Sequence, residues 1–181
     1  MELTSPAHDT VPQKWTDTIE KHRAAIADFV RAASAMEESA WSLPVEPGKW
    51  TPAQITDHLL RTYRIVLDQL RGGPGIKPQY GFLLRQILRL AFLPRIFRTR
   101  RLPAGAKAPV EIRPADSNIP PETALRQLTD VSAEFETEML SRRNEKDLRL
   151  THHVFGAVKP LRGVDFIAIH TEHHARQLPR S

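Results

Sequence analysis

Three of the nine residues in HTEHHARQL (170–178) are histidine. On a helix His170 and His174 stand four apart, with Cβ atoms about 5–6 Å from one another on one face. Two imidazoles so placed can share one metal ion. His173 points roughly 100° away from His174 and cannot join the same ion without distortion. Glu172 falls roughly 200° round from His170. It is therefore expected in solvent, and HTEHH is not the HExxH pattern of zinc proteases. Ile167, one turn before His170, turns the pair inward. A third candidate ligand is His58, beside the inner residues Ile55, Leu59 and Thr62. A polar ring at that inner edge is costly unless it has a partner, and a metal shared with His170 and His174 is such a partner. Three imidazoles with open positions left over describe a catalytic type of site rather than a closed structural one. Because each ring must be neutral to bind, affinity is expected to fall as pH drops through about 6.

The other histidines read differently. His22 lies within an apolar stripe, as a buried, hydrogen-bonded histidine would. His152 and His153 sit in a connection and read as loop residues, one of them possible at the border of a pocket. Asp57 and Asp165 are close in sequence to the ligand positions, but Asp57 should point away from the His58 face. No general base, catalytic side chain or binding residue for an organic cofactor is assigned.

Helices must position these rings. Residues 12–40 predict one long helix, with Trp15, Ile19, His22, Ile26, Phe29, Ala33, Met36 and Ala40 on a stripe. LPVEPGK (43–49) breaks it. In WTPAQITDHL (50–59), Thr51 is an N-cap, Pro52 occupies the first helical position and Gln54 completes a capping box. Ile55, Leu59, Thr62, Val66 and Leu70 form the inner stripe, and RGGPG (71–75) ends the helix. A third helix is predicted from Pro121 to about Arg143. LTHHVFGAVKPLRG (150–163) is a connection, and a final helix covers about 164–178. No strand pattern competes. The expectation is an all-α protein, an antiparallel four-helix bundle in a single domain over 1–181, with an additional helical and loop insert at about 76–120 between helices 2 and 3.

Composition narrows the function. The chain has 181 residues and no cysteine, so disulfides, iron–sulfur clusters and a thiol nucleophile of its own are excluded, and any metal must use histidine or carboxylate ligands. No apolar run approaches the roughly 20 residues of a membrane span. The stretch MELTSPAHDT lacks the marks of a signal peptide, so a cytoplasmic location is expected. The net charge of +5 is unevenly distributed. Residues 69–110 hold nine Lys or Arg and no Asp or Glu, whereas the other 17 basic residues stand against all 21 acidic ones. Within that segment YGFLLRQILRLAFL (80–93) predicts a helix that Pro94 stops or kinks, and RLPAGAKAPVEIRPADSNIPP (101–121) an extended loop. Its leucines are expected to pack on the bundle or on a second subunit as a lid, its arginines to face solvent. The rival reading is nucleic-acid or anionic-membrane binding through Arg85–Arg101.

Taken together, WTPAQITDHL, HHVFGAV (152–158) and HTEHHARQL resemble the DinB-like (DinB/YfiT-type) metal-binding four-helix proteins, with the motifs in family order from about residue 15 to 178. The resemblance puts one metal ligand on the second helix and an H-x3-H pair on the last, that is His58, His170 and His174. It implies a divalent transition metal, commonly nickel or zinc, and a homodimer. Where relatives often have His-Pro before the Phe-Gly turn, this chain has His152-His153. Characterised relatives include thiol-dependent transferases and isomerases that use bacillithiol or mycothiol. A metal-dependent thiol S-transferase or hydrolase acting on a small molecule, through a metal-bound water or thiolate, is the implied activity. A non-catalytic metal- or ligand-binding bundle is the alternative.

Overall fold

A computed structural model describes residues 10–103, 105, 107–115 and 119–179. The N-terminal stretch read above for a signal peptide lies, up to residue 9, outside the described residues. Five helices follow in chain order: α1 (Gln13–Ser34), α2 (Pro52–Leu70), α3 (Phe82–Thr99), α4 (Pro121–Ser141) and α5 (Pro160–Ala175). α1, α2, α4 and α5 make the bundle; α3 belongs to the segment between α2 and α4. No described helix is long and apolar enough to cross a membrane.

α2 begins as its sequence dictates. The Thr51 hydroxyl accepts the N–H of Gln54, the Gln54 side chain accepts the N–H of Thr51, and Pro52 opens the helix without an amide to satisfy. Its inner face joins Ile19, Phe29, Leu128, Phe135, Met139 and Val164 in the main apolar core. α1 packs chiefly on α5 and also on α4, and α4 packs on α2. α2 and α5 close the ring through long side chains rather than close backbone contact. The histidines stand along that seam.

Elsewhere the structure departs from the helix pattern in the sequence. α1 ends at Ser34, not near residue 40, and a 3-10 turn over Glu38–Ser42 follows. The tighter winding turns Trp41 into the core, where its indole N–H donates to the Ile119 carbonyl at 3.2 Å. Residues 150–158 are not merely a connection. They form an antiparallel hairpin, β1 (Leu150–His152) with β2 (Gly156–Val158), in which His152 pairs with Gly156. Gly156 is in the left-handed region, at φ +69°, as the three-residue turn requires. Gln69 on α2 fixes the hairpin: its Oε1 accepts the Thr151 N–H at 3.0 Å and its Nε2 donates to Thr151 Oγ1 at 2.9 Å. Strand signals over three residues are too short to rise above helix periodicity. α5 starts at Pro160, a turn earlier than expected, because proline suits the first helical position.

α3 runs through Pro94 to Thr99. The proline deprives the Leu90 carbonyl of its helical partner, but Leu90 is 76% exposed, so water can take that place. The expected lid is not formed. Only Leu93 and Ile96 of α3 are buried, against Phe155 and Ile169. Leu83, Ile87 and Leu90 face outward, while Arg89 turns inward and donates from Nη1 to the Ala157 carbonyl at 3.0 Å. Of the leucines expected to cover the bundle, Leu83, Leu84 and Leu90 are exposed while Leu88 is half-buried and Leu93 buried, and Arg85 and Arg89, expected in water, are half-buried.

A buried polar chain ties the bundle together. His22 on α1, fully buried, hydrogen-bonds through Nδ1 to Glu136 Oε1 on α4 at 2.8 Å and through Nε2 to the Tyr63 hydroxyl on α2 at 2.7 Å. Arg23 Nε donates to Glu136 Oε2 at 2.8 Å. This is the hydrogen-bonded core histidine that the sequence pattern suggests. Burial by itself raises the Glu136 pKa, but the bonds from His22 and Arg23 outweigh it and hold the carboxyl below its ordinary range. The unfolded chain therefore takes up the proton first as pH falls, so this contribution is complete above about pH 4.5 and lost in more acid solution. Glu136→Gln should lower stability near neutrality by about 1–3 kcal/mol. In melting curves collected against pH, the gap between variant and parent should narrow below about pH 4. A gap independent of pH would contradict the assigned charge on Glu136.

Candidate metal centre

His58 projects from the first half of α2, and His170 and His174 from successive turns of α5. His58 and His174 are buried and His170 is half-buried. Their Nε2 atoms converge: His58 to His170 is 3.1 Å and His174 to His170 is 3.1 Å. All three ligand atoms lie within 4.8 Å of one another. Donor nitrogens around a four-coordinate ion at about 2.0–2.1 Å are spaced by roughly 3.3 Å, so the separations suit one small cation.

The outer nitrogens set the tautomers. His58 Nδ1 lies 2.6 Å from the Ile112 carbonyl, which can only accept, so that proton is on Nδ1. His174 Nδ1 lies 2.8 Å from Gln177 Oε1, again an acceptor. Both rings, when neutral, therefore turn the Nε2 lone pair to the shared point, and His170 Nε2 meets both. A single N–H on His170 can satisfy only one of them. A cation satisfies all three lone pairs together. Protonation is not the substitute, because burial, the largest influence, pushes the pKa of His58 down and those of His170 and His174 well down. Neighbouring imidazoles push the last two further in the same direction. The donor set fits a divalent transition ion held by imidazole.

The surroundings are aromatic. The Trp50 ring lies 4.9 Å from His58 and 6.2 Å from His174, centroid to centroid. His152 is in the hairpin, stacked on Phe155 at 4.7 Å and edge-on to Phe166 at 4.6 Å. Its Nδ1 accepts the N–H groups of Val154 and Phe155 at 3.1 and 3.3 Å, so Nε2 carries the proton. Burial pushes its pKa down to about 3, and it is close enough to His170 to lower the pKa there. His153 likewise lowers the pKa of His58, so both connection histidines are felt by the triad. The ring of His153 stacks on that of His152 at 4.5 Å, and its carbonyl accepts the Gln79 N–H at 2.8 Å. His173 stands apart from the triad nitrogens, with its Nε2 3.0 Å from Gln177 Nε2.

The carboxylates next to the ligands in sequence are engaged elsewhere. Asp57 points away from the His58 face, as helix geometry requires, and accepts from Arg61 Nε at 2.7 Å and the Ala115 N–H at 2.9 Å. Glu172 is not free in solvent. Arg100 donates to it from Nε at 2.9 Å and reaches Asp165 from Nη1 at 2.8 Å. Arg100 itself is left-handed, at φ 50°, a conformation costly for a non-glycine residue. Its double ion pair latches the end of α3 to α5 beside the histidines.

Sequence reasoning missed Arg100, the Ile112 carbonyl and the inward turn of His152. Gln177, three residues beyond His174, was within reach of helix geometry; the others depend on where a proline-rich segment and a hairpin settle. Neither the curated proteins nor the solved structures include a significant match to this chain. A family model described as the DinB superfamily, however, matches residues 21–178. That span contains α2, α4, α5, the greater part of α1 and all three converging histidines, and the chain belongs to the DinB superfamily.

Proposed function

We propose that this protein binds one divalent transition-metal ion through Nε2 of His58, His170 and His174, nickel and zinc being the ions that suit the donors best, and uses it in thiol transfer to a small electrophilic molecule. The observation that carries the reading is the meeting of three imidazole Nε2 atoms at one point, with the outer contacts of His58 and His174 turning two lone pairs toward it and a single N–H on His170 able to satisfy only one of them. When bound, the ion supplies Lewis acidity and lowers the pKa of a coordinated water or low-molecular-weight thiol. Asp57, Asp165 and Glu172 are each held by an arginine, so none of them is placed as a base for either nucleophile, and the ion itself would have to generate it. The absence of cysteine agrees with thiol transfer, since the sulfur would come from the cosubstrate.

The chain's own residues have definite tasks. The Ile112 carbonyl and the Gln177 side chain orient His58 and His174 through the ring nitrogens that face away from the shared point. Trp50 covers one side of the rings and limits water. His152 offers an N–H whose tautomer the hairpin dictates.

Elemental analysis of untagged protein should find about one equivalent of nickel or zinc. His174→Ala should abolish retention, because the two rings left behind stand on different helices. His173→Ala should leave metal content nearly unchanged. Equal metal content in the two variants would sink the ligand assignment. Metal should raise the melting temperature and a chelator lower it, since only the folded state assembles the site. The lowered pKa values of all three rings keep them neutral below pH 6.5, so loss of metal should begin in more acid solution than the pH of about 6 expected for ordinary imidazoles. A midpoint of metal release at or above pH 6.5 would contradict the burial that sets them. For the reaction, loaded protein is incubated with bacillithiol or mycothiol and an electrophilic acceptor. Thiol consumption that disappears in His58→Ala is expected. Full metal content with no thiol consumed would leave a binding protein and overturn the transferase reading.

A further inference from the structure

α3 is amphipathic in the reverse sense. Its protein-facing side carries Leu93 and Ile96, but also Arg85 and Arg89. The Arg85 guanidinium lies 3.1 Å from where a Cβ on Gly156 would stand, and Arg89 bonds the Ala157 carbonyl. The outer side carries Leu83, Leu84, Ile87 and Leu90, of which Leu83 is 77% and Ile87 62% exposed. Ile87, Ala91, Pro94 and Arg98 fall four, three and four residues apart, so they make one outward line that changes from apolar to cationic along the helix. Arg95 and Arg101 are exposed beside Arg98, and Lys77 and Lys107 are exposed at either end of the segment. The acidic partners in this region, Asp165 and Glu172, are taken by Arg100.

A face of leucine and isoleucine left outward is a large apolar patch for a protein in water. Its border decides the occupant. Every charged side chain between residues 69 and 110 is basic, so a second copy seated on this face would bring cations to cations with no acid of the same segment to meet them. Nucleic acid would use the cations but not the leucines. A sheet of anionic lipid headgroups uses both: the apolar line enters the boundary between headgroups and acyl chains, and the arginines meet the phosphates.

We propose that the outward face of α3, Leu83, Ile87 and Leu90 with Arg95 and Arg98, together with Arg101 just beyond the helix end, docks the protein on anionic membrane surfaces, the helix lying in the plane of the interface. This rests on α3 and the residues at its end and is independent of the metal reading. The full chain is sedimented with vesicles of equal parts phosphatidylcholine and phosphatidylglycerol, and with vesicles of phosphatidylcholine alone. Binding to the mixed vesicles is expected, weakened by high salt and much weaker on the neutral ones. Combined Arg95→Gln, Arg98→Gln and Arg101→Gln should reduce the affinity on the order of a hundredfold, each cation near an anionic surface being worth about fivefold. Combined Leu83→Ser, Ile87→Ser and Leu90→Ser, all at exposed positions, should remove binding while leaving the melting temperature and metal content as they were. No affinity for either vesicle overturns the proposal. So does a dimer in sedimentation equilibrium that the serine variant dissociates while vesicles are not bound, which would make the occupant a second copy. Binding of duplex DNA that survives the serine changes, without vesicle binding, would assign the arginines to nucleic acid instead.

Discussion

Three imidazole nitrogens cannot turn their lone pairs on one another inside a protein without something positive between them or a proton to share. His58, His170 and His174 do converge in that way, and the outer contacts of two of them leave their lone pairs no other direction. Burial makes the protonated alternative expensive for each ring. Much of the surrounding architecture can be understood as meeting this constraint. The seam between α2 and α5 leaves room for rings, and the segment after α3 supplies the Ile112 carbonyl that orients one of them.

The scaffold holding that seam is a second polar system, kept separate from the first. Glu136, His22 and Tyr63 join α4, α1 and α2 by hydrogen bonds of 2.7 and 2.8 Å, and the Tyr63 hydroxyl lies 3.4 Å from Thr171 Oγ1 on α5. All four bundle helices thus meet in one buried chain. Such a network is costly unless every member is satisfied, and for that reason it specifies how the helices align. Thr171 is next to His170, so the alignment that satisfies Tyr63 also sets the height at which His170 meets His58. Burial drives the pKa of the Tyr63 hydroxyl well up, so it acts as a neutral hydrogen-bonding group and not as a base.

The segment between α2 and α4 does more than span a gap. Asp57 accepts the Ala115 N–H, His58 donates to Ile112, and Arg100 clasps Glu172 and Asp165. Adjacent residues of α2 therefore hold the same loop, one by a carboxylate and one by an imidazole. These anchors all follow α3 in the chain and tie the segment to both helices that carry the histidines, while α3 ahead of them keeps Leu83, Leu84 and Leu90 outward.

The sequence by itself determined the elements with strong local physics. Thr51, Pro52 and Gln54 specify where α2 starts whatever packs on it, and a spacing of four specifies that His170 and His174 share a face. The apolar stripe implied that His58 and His22 look inward, and the motifs together pointed to the DinB family. What only tertiary structure decided are properties of contacts between segments distant in the chain. Trp41 ends α1 early because the core can take an indole once a 3-10 turn presents it. The short strands at 150–158 exist because Gln69 holds Thr151 to α2. Arg100 takes Glu172 out of solvent from 72 residues away, and α3 reverses its faces because the Ala157 carbonyl on the hairpin can accept from an arginine. Periodicity marks which residues on a helix share a side; which side the rest of the protein will occupy depends on partners that periodicity does not contain.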